Sequence, residues 1–394
     1  MIIKSLLDID FYKLTMCQFA WKHYSDVKIE YKFFNRNLNI KLGEIINIDV
    51  LKMEIENVRK LKFQEDELDY ISSLNIFEND FIDFLKDLEL PPVNIEKNDK
   101  NNLNITTVGY WKEAILWETI ILSLINELYY ISKYQDLYKL IEAGTNKNFI
   151  KYKELSESDI LFADFGTRRR FSSQWQKDVV GIMKSLKGFV GTSNVKLAKD
   201  LNLDPIGTNA HELYMIIAGL NVDDLRGSWK KVLNMWYDMY GEDLSVVLTD
   251  TWGSEQFFND FDLELAKKWK GVRHDSGDPF IFGDKVIEFY KEKDIEPKEK
   301  TIIFSDGLNL EMIKKLEEYF KGRINIAYGW GTGLTNDMNG DTLSIVMKAF
   351  KVISNGDKLI NNYLVKLSDD NGKHMGRKED IEFYKKEFGY KILN

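Results

Sequence analysis

From about residue 158 onward the chain repeats one pattern: a short apolar run, a polar or glycine-bearing turn, then an amphipathic segment. Ile160–Ala163 leads into Asp164-Phe165-Gly166-Thr167-Arg168-Arg169-Arg170, and Gly188–Val190 into Gly191-Thr192-Ser193-Asn194. Leu203–Ile206 precedes Gly207-Thr208-Asn209-Ala210-His211, and Ser245–Leu248 precedes Thr249-Asp250-Thr251. Gly271-Val272 precedes Arg273-His274-Asp275-Ser276-Gly277-Asp278, Thr301–Phe304 precedes Ser305-Asp306-Gly307, and Ile324–Tyr328 precedes Gly329-Trp330-Gly331-Thr332-Gly333. Strand, turn and helix repeated in this way predict parallel β-structure with crossover helices. So many units in so short a stretch suit a closed α/β barrel better than an open sheet. In a barrel the turns that follow the strands share one face, where active sites are built. Loops are polar in any case, so one such cluster says little. The whole set, rich in Arg, Asp, His and Gly-Thr, predicts a site.

The first part of the chain has a different texture. Val27–Phe34 is aromatic-rich, residues 51–89 read as a polar, acidic helical region, and Pro91-Pro92 breaks it. Asn98–Asn102 reads as an exposed turn, and residues 111–140 as one long helix apolar over most of its circumference, hence buried between layers. The longest apolar stretch, 114–132, is interrupted by Glu118, Asn126 and Glu127, so no membrane span is expected. A net charge of −9 over 394 residues makes the chain a poor electrostatic partner for nucleic acid or an anionic membrane. Phosphate binding must therefore be local. With Cys17 as its one cysteine and no signal-peptide pattern at Met1–Lys4, the chain reads as cytoplasmic.

Taken singly, the clusters suggest anion chemistry. Three glycines in Gly329–Gly333 let backbone N–H groups approach a phosphate, with the Thr332 hydroxyl beside them, but no Walker lysine follows. Three consecutive arginines at 168–170 match carboxylate or phosphate, although a solvated patch accounts for at least one of them. At the end of a strand, Arg273 and Asp275 point to one side and His274 to the other. A sugar hydroxyl or a Mg²⁺–diphosphate explains Asp275, whereas Asp278 reads as a helix cap. His211 alone is more simply a structural histidine than a base or nucleophile. No spacing supports zinc, and no nucleophile elbow supports a hydrolase.

Together the motifs go further. Asp-x-Asp-x-Tyr-Lys-Leu-Thr (8–15), Phe-Gly-Thr-Arg-Arg-Arg-Phe-Ser (165–172), Gly-Thr-Ser-Asn-Val (191–195), Gly-Thr-x-Ala-His-Glu (207–212), Leu-Thr-Asp-Thr (248–251), Arg-His-Asp-Ser-Gly-Asp-Pro (273–279) and Gly-x-Gly-Thr-x-Leu-Thr-Asn-Asp (329–337) resemble, in content and order, the nicotinate phosphoribosyltransferases. The resemblance runs from about residue 5 to 370. It implies an irregular TIM-like α/β barrel with a second α+β domain formed from N-terminal and C-terminal segments, divided as 1–110, 111–345 and 346–394. It implies nicotinate and 5-phosphoribosyl 1-diphosphate as substrates, nicotinate mononucleotide and diphosphate as products, Mg²⁺, ATP as co-substrate, and a homodimer with shared active sites.

By matching position, the resemblance puts Tyr12, from the neighbouring subunit, and Phe165 on the two faces of the pyridine ring. It puts Arg168 and Arg273 near substrate, Thr208 on nicotinate, and Asp275 on the ribose hydroxyls. Gly307, Gly329, Gly331 and Thr332 fall to phosphate, His211 is the histidine that ATP phosphorylates, and Asp250 orients it. Ser193 stands where the nicotinamide enzymes carry an aspartate, and a neutral donor there favours the acid over the amide. Trp330 and Gly333 depart from the residues expected in the phosphate loop. The rival readings are a nicotinamide or quinolinate enzyme, a sugar-phosphate barrel isomerase or aldolase, and a non-catalytic homologue.

Overall fold

The computed structural model describes residues 1–37 and 39–391. The chain divides into two compact units, Met1–Gly207 with Trp330–Lys348, and Thr208–Gly329 with Ala349–Asn394.

In the first unit, helix α1 (Phe11–His23) precedes strand β1 (Val27–Asn35). The aromatic-rich stretch alternates as a half-buried strand should, with Val27, Ile29, Tyr31 and Phe33 inward. Strands β2 (Val93–Lys97) and β3 (Leu103–Tyr110) follow, and β3 pairs antiparallel with both β1 and β2. Asn98–Asn102 is the turn between them, closed by the Asn98 side chain accepting from the Lys100 and Asn102 N–H groups.

Helix α2 (Trp117–Lys133) is the core of this unit. The segment Trp111–Lys133 is long and apolar enough to cross a membrane, yet 89% of its apolar window is buried inside the fold. It is a core helix. The single helix expected over 111–140 stops at Lys133 because Tyr134 is extended, and Asp136 caps a new helix from Leu137 by accepting from Tyr138 N–H.

Strands β4 (Phe162–Asp164) and β5 (Phe189–Thr192) pair in parallel. The strand expected at Leu203–Ile206 is reduced to a single parallel bridge between Thr192 and Pro205. Thr192 N–H donates to Asp204, and Ile206 N–H returns to Thr192. Pro205, which has no N–H, cannot extend the ladder.

A buried ion pair fastens the chain start to this unit. Asp8 and Arg170 are 5% and 1% exposed and form a two-point bridge at 2.5 and 2.7 Å. Asn194 adds a hydrogen bond to Asp8, and Gln176 accepts from Arg170. The backbone of Leu7–Phe11 is hydrogen-bonded to Ser193–Lys196. Burial pushes the Asp8 carboxyl up, and the Arg170 guanidinium more than reverses this, so it stays below its ordinary value.

In the second unit, strands β6 (Val246–Leu248), β7 (Gly271–His274), β8 (Thr301–Phe304) and β9 (Asn325–Trp330) form a parallel run in that order, with β9's last residue belonging to the first unit. Helix α3 (His211–Leu220) precedes β6, and α4 (Pro279–Glu292) follows β7. Asp278 caps α4 by accepting from Phe280 and Ile281, with Pro279 at the first helical position, as its place in the sequence predicts. Strand β10 (Ile345–Asn355), whose residues 345–348 belong to the first unit, pairs through its later residues with β11 (Lys358–Tyr363) in an antiparallel hairpin, its turn carried by Gly356 at φ +57°. Parallel ladders with intervening helices, and a separate set of antiparallel strands, make up the mixed α/β fold that the sequence predicts.

Replacing Arg170 with Met strands a buried carboxylate and is expected to cost about 3–5 kcal/mol, read as a lower urea midpoint. The double variant with Asp8→Asn should recover part of it. Because the folded Asp8 value lies below 3.8, its contribution is fully present above that pH and is lost as pH falls through the lower folded value. Urea midpoints measured down the acid limb should show this loss, and the double variant should lack it.

Candidate active site

In the first unit, Arg168 and Ser193 meet two buried acids. Asp10, 1% exposed, precedes α1 but does not cap it with its side chain. Its Oδ1 accepts from Ser193 Oγ at 2.7 Å, and its Oδ2 lies 3.2 Å from Arg168 Nε. Glu118, from the first turn of α2, is 1% exposed and meets Lys13 Nζ at 2.6 Å, Lys348 Nζ at 2.8 Å and Arg168 Nη1 at 3.6 Å. Burial pushes the Glu118 carboxyl up, but Lys13, Lys348 and Arg168 together hold it well below its ordinary range. The same burial pulls the Lys348 ammonium down. Three cations around one acid leave a surplus of positive charge beside Asp10, which suits an anionic ligand.

The three arginines divide by environment. Arg169 is exposed, as the solvated reading expects, but Arg170 is buried on Asp8. Arg168 carries its guanidinium 5.6 Å from the Tyr12 ring centroid. Tyr12 is thus buried in its own unit beneath Arg168, whereas the resemblance places it in a neighbouring subunit's site. Ser193 is not the free donor that the sequence suggests, because its proton is directed at Asp10.

Phe165 N–H donates to Trp330 O at 2.9 Å, which brings the arginine turn against the glycine segment. A Cβ on Gly331 would meet Phe165 O at 3.2 Å, and one on Gly166 would lie 2.0 Å from Thr335 Oγ1. Glycine at these positions lets the two turns approach. Trp330 is fully buried, edge-on to Phe162, and Lys151 donates to Gly333 O at 2.7 Å. The departures at 330 and 333 are therefore packing and backbone features, while Gly331 and Thr332 stay half-exposed.

In the second unit, His211 opens α3, 5% exposed, at the end where the helix dipole disfavours a positive charge. Its Nδ1 lies 3.1 Å from Thr251 Oγ1. Around Nε2 stand Lys366 Nζ at 2.8 Å, Asp275 Oδ2 at 3.0 Å and Asp250 Oδ1 at 3.4 Å. Burial, then the Lys366 charge, bring the imidazole down to about 4 against the pull of Asp250 and Asp275, so the ring is neutral. Burial pushes Asp250 up, but Lys366 and His211 bring it to about 2. Its Oδ2 takes Lys366 at 3.1 Å and Ser276 Oγ at 2.6 Å, so Asp250 holds the lysine more directly than the histidine.

Asp275 has a 31% exposed side chain and is the rim carboxylate of this cluster, and Ser305 donates to its Oδ1. Arg273, half-buried, donates to Asn209 O at 3.2 Å, while His274 packs between Phe282 and Phe304. The two sides of the strand are as its alternation predicts. Thr208 donates to Val246 O, Gly307 sits exposed at φ +62° after β8, and Gly329 is buried in β9.

His211, Asp250 and Asp275 bring possible metal ligands within 4.8 Å of one another. The Lys366 ammonium already fills the position a cation would take among them. This set does not fit a resident divalent ion, and no metal ligand is assigned.

Five charged residues of these clusters were given no role from the sequence: Asp10 and Lys13, which lie inside the first motif, and Glu118, Lys348 and Lys366, which lie outside the motifs. Four of them carried a signal: a charge inside an apolar run, as in Leu364-Val365-Lys366-Leu367 or Trp117-Glu118-Thr119-Ile120.

The model of the nicotinate phosphoribosyltransferase family matches residues 160–392, and that of the family's N-terminal domain matches residues 7–126. The nicotinate phosphoribosyltransferase of Acinetobacter baylyi is 39% identical over 388 residues, 95% of this chain and 93% of that relative. That of Cupriavidus necator is 38% identical over 385 residues, 95% of each chain. Among solved structures, the nicotinate phosphoribosyltransferase of Porphyromonas gingivalis superposes with a TM-score of 0.89 at 33% identity, covering 99% of this chain and 100% of its own. That of Vibrio cholerae gives 0.90 at 31%, covering 100% and 95%. With its ordered motifs, its mixed α/β fold and these matches over nearly its whole length, the chain belongs to the nicotinate phosphoribosyltransferase family.

Proposed function

We propose that this protein joins nicotinate to 5-phosphoribosyl 1-diphosphate, giving nicotinate mononucleotide and diphosphate at the entry to NAD salvage. ATP hydrolysis is coupled through phosphorylation of His211. Mg²⁺ arrives as the counter-ion of the diphosphate substrates. The working unit is a homodimer in the cytoplasm, where a single buried cysteine needs no oxidising environment. The observation that carries the reading is the neutral, buried imidazole of His211 beside the part-exposed carboxylate Asp275, in a chain of this family.

As nicotinate is transferred, the bond from the anomeric carbon to diphosphate breaks and its electron pair leaves with diphosphate. The pyridine nitrogen supplies the pair for the new C–N bond. Positive charge builds on the ribose as the bonds exchange, so catalysis depends on placed charges and on orientation. Arg168, its guanidinium 5.6 Å from the Tyr12 ring centroid, offers a flat, cationic surface to a flat aromatic anion, and Phe165 is the second aromatic wall that the family resemblance assigns. Lys13 and Lys348, held on Glu118, keep that surface positive. Asp275 accepts from ribose hydroxyls and faces the developing charge, with Arg273 one residue before it. Gly331 and Thr332 offer N–H and hydroxyl donors to the 5-phosphate. An aspartate at 193 would set a second carboxylate against Asp10, where Ser193 instead donates a hydrogen bond.

The reading is tested by product analysis with nicotinate, nicotinamide and quinolinate, each with 5-phosphoribosyl 1-diphosphate and Mg²⁺, with and without ATP. Nicotinate mononucleotide from nicotinate alone, formed faster with ATP, is expected; no turnover of any of the three by folded protein contradicts it. Asp275→Asn should lower kcat/KM for nicotinate by roughly 10²–10³-fold. Because the His211 ring titrates at about 4, its nucleophilic form is present above that value. Labelling of His211 from [γ-³²P]ATP should therefore stay level from roughly pH 5.5 to 8 and fall as pH approaches 4. A fall already centred near the ordinary histidine value would contradict the neutral ring.

A further inference from the structure

Lys366 lies in an apolar run and is 9% exposed at its side chain, a place where an ammonium survives only with partners. It is held there by its backbone. Lys366 exchanges two hydrogen bonds with Met375, Leu367 N–H donates to Thr251 O, and Ser368 N–H to Asp250 O. Ser368 adopts a left-handed φ of +69°, a strained conformation that surrounding structure must enforce. The segment that carries Lys366 is thus stitched to the same turn that supplies Asp250 and Thr251.

The groups that meet at His211 make incompatible demands. Lysine only donates, so Lys366 at 2.8 Å requires a lone pair on Nε2. Asp275 only accepts when ionised, so at 3.0 Å it asks for a proton on the same nitrogen. Thr251, on Nδ1, satisfies either demand because a hydroxyl donates or accepts. A proton on Nε2 would point an N–H dipole at a buried ammonium with little water to screen it. A lone pair on Nε2 faces Asp275, but Lys366 and Arg273 offset that carboxylate's charge. Lys366, Asp250 and Asp275 are the charged groups against the ring, with Arg273 and Asp369 one step further out.

We propose that Lys366 is the positioning residue that sets the proton of His211: its ammonium donates to Nε2, the ring proton lies on Nδ1 toward Thr251, and the Nε2 lone pair is kept beside Asp275. The ring is then a neutral nucleophile whose reactive nitrogen is defined before any substrate binds. When Lys366 releases Nε2, its charge stays within reach of an anionic group placed there. The bearing of this on turnover rests on the phosphohistidine reading of the function, whereas the proton's position does not.

The test is a two-bond ¹H–¹⁵N correlation spectrum of the full chain labelled in its histidines, without substrates, with His211 assigned by its loss in His211→Asn. Wild type is expected to show a neutral ring protonated at Nδ1 from about pH 6 to 8. Lys366→Met should move the proton to Nε2 and raise the titration of the ring by roughly one pH unit or more, and Lys366→Arg should retain the wild-type tautomer. A wild-type ring protonated at Nε2, or a folded Lys366→Met with unchanged tautomer and titration, overturns the proposal. If Lys366→Met does not fold, the wild-type spectrum decides alone. Because no substrate is present, a protein inactive toward nicotinate still gives the answer, so failure of the functional reading and failure of this proposal are separable.

Discussion

Glu118 places a carboxylate inside a long, buried, apolar helix, and the first unit is arranged around answering it. A lone buried carboxylate would be too costly to keep ionised. Lys13 comes from α1, Lys348 from β10 and Arg168 from the turn after β4, so one charge gathers three distant segments. The cations are thereby held in a geometry that water would not impose, with Arg168 left part-exposed over Tyr12. Packing and charge share one cause: the acid that makes the helix foldable only in company also fixes the positive surface proposed above to meet the nicotinate carboxylate. Asp8 does the same for the start of the chain through Arg170, without contributing a site-facing charge.

The second unit uses the same device with the signs reversed. One buried ammonium, Lys366, stands among Asp250, Asp275 and the imidazole of His211. The acids do not lift His211 into its charged form because burial and the ammonium outweigh them. Buried ion networks are often poor sources of stability compared with an apolar core. Here their use is to set protonation states, an ionised Asp275 at the rim and a neutral ring beside it. The phosphoryl-acceptor and ribose-binding roles proposed above for His211 and Asp275 call for those two states at neutral pH.

Much of this was legible in the residues. The strand–turn–helix rhythm exposed the turns, and a parallel fold puts reactive turns at strand ends. That reasoning placed Arg168, His211, Asp250 and Asp275 in such turns, but it left His211 a structural histidine, and only the family resemblance gave His211 and Asp250 a role. It could not sort the arginine run, because which of three neighbours turns inward depends on a short 3-10 turn at Thr167–Arg169. It read Ser193 as a donor for substrate, since Asp10 lies 183 residues away in sequence. It passed over Lys348 and Lys366 because each belongs to no motif, although a lysine flanked by apolar residues in extended chain demands a buried partner. Glu118 was noticed only as an interruption in a hydrophobic stretch. Its meaning depends on which cations reach it, and that is a property of topology. The helix end at Lys133 and the thinning of Leu203–Ile206 to one bridge at Pro205 were local facts, written in Asp136 and Pro205, that periodicity alone overrides.

The claim that one buried acid holds the cationic surface together is tested most directly by Glu118→Gln, which keeps the shape and removes the charge. The measurement is the urea midpoint of wild type and variant, each with and without inorganic phosphate. The account predicts that the variant loses about 3–5 kcal/mol, and that phosphate restores part of this loss, to a greater extent than it stabilises wild type, by supplying the missing negative charge. A variant with the wild-type midpoint and no added response to phosphate would contradict it.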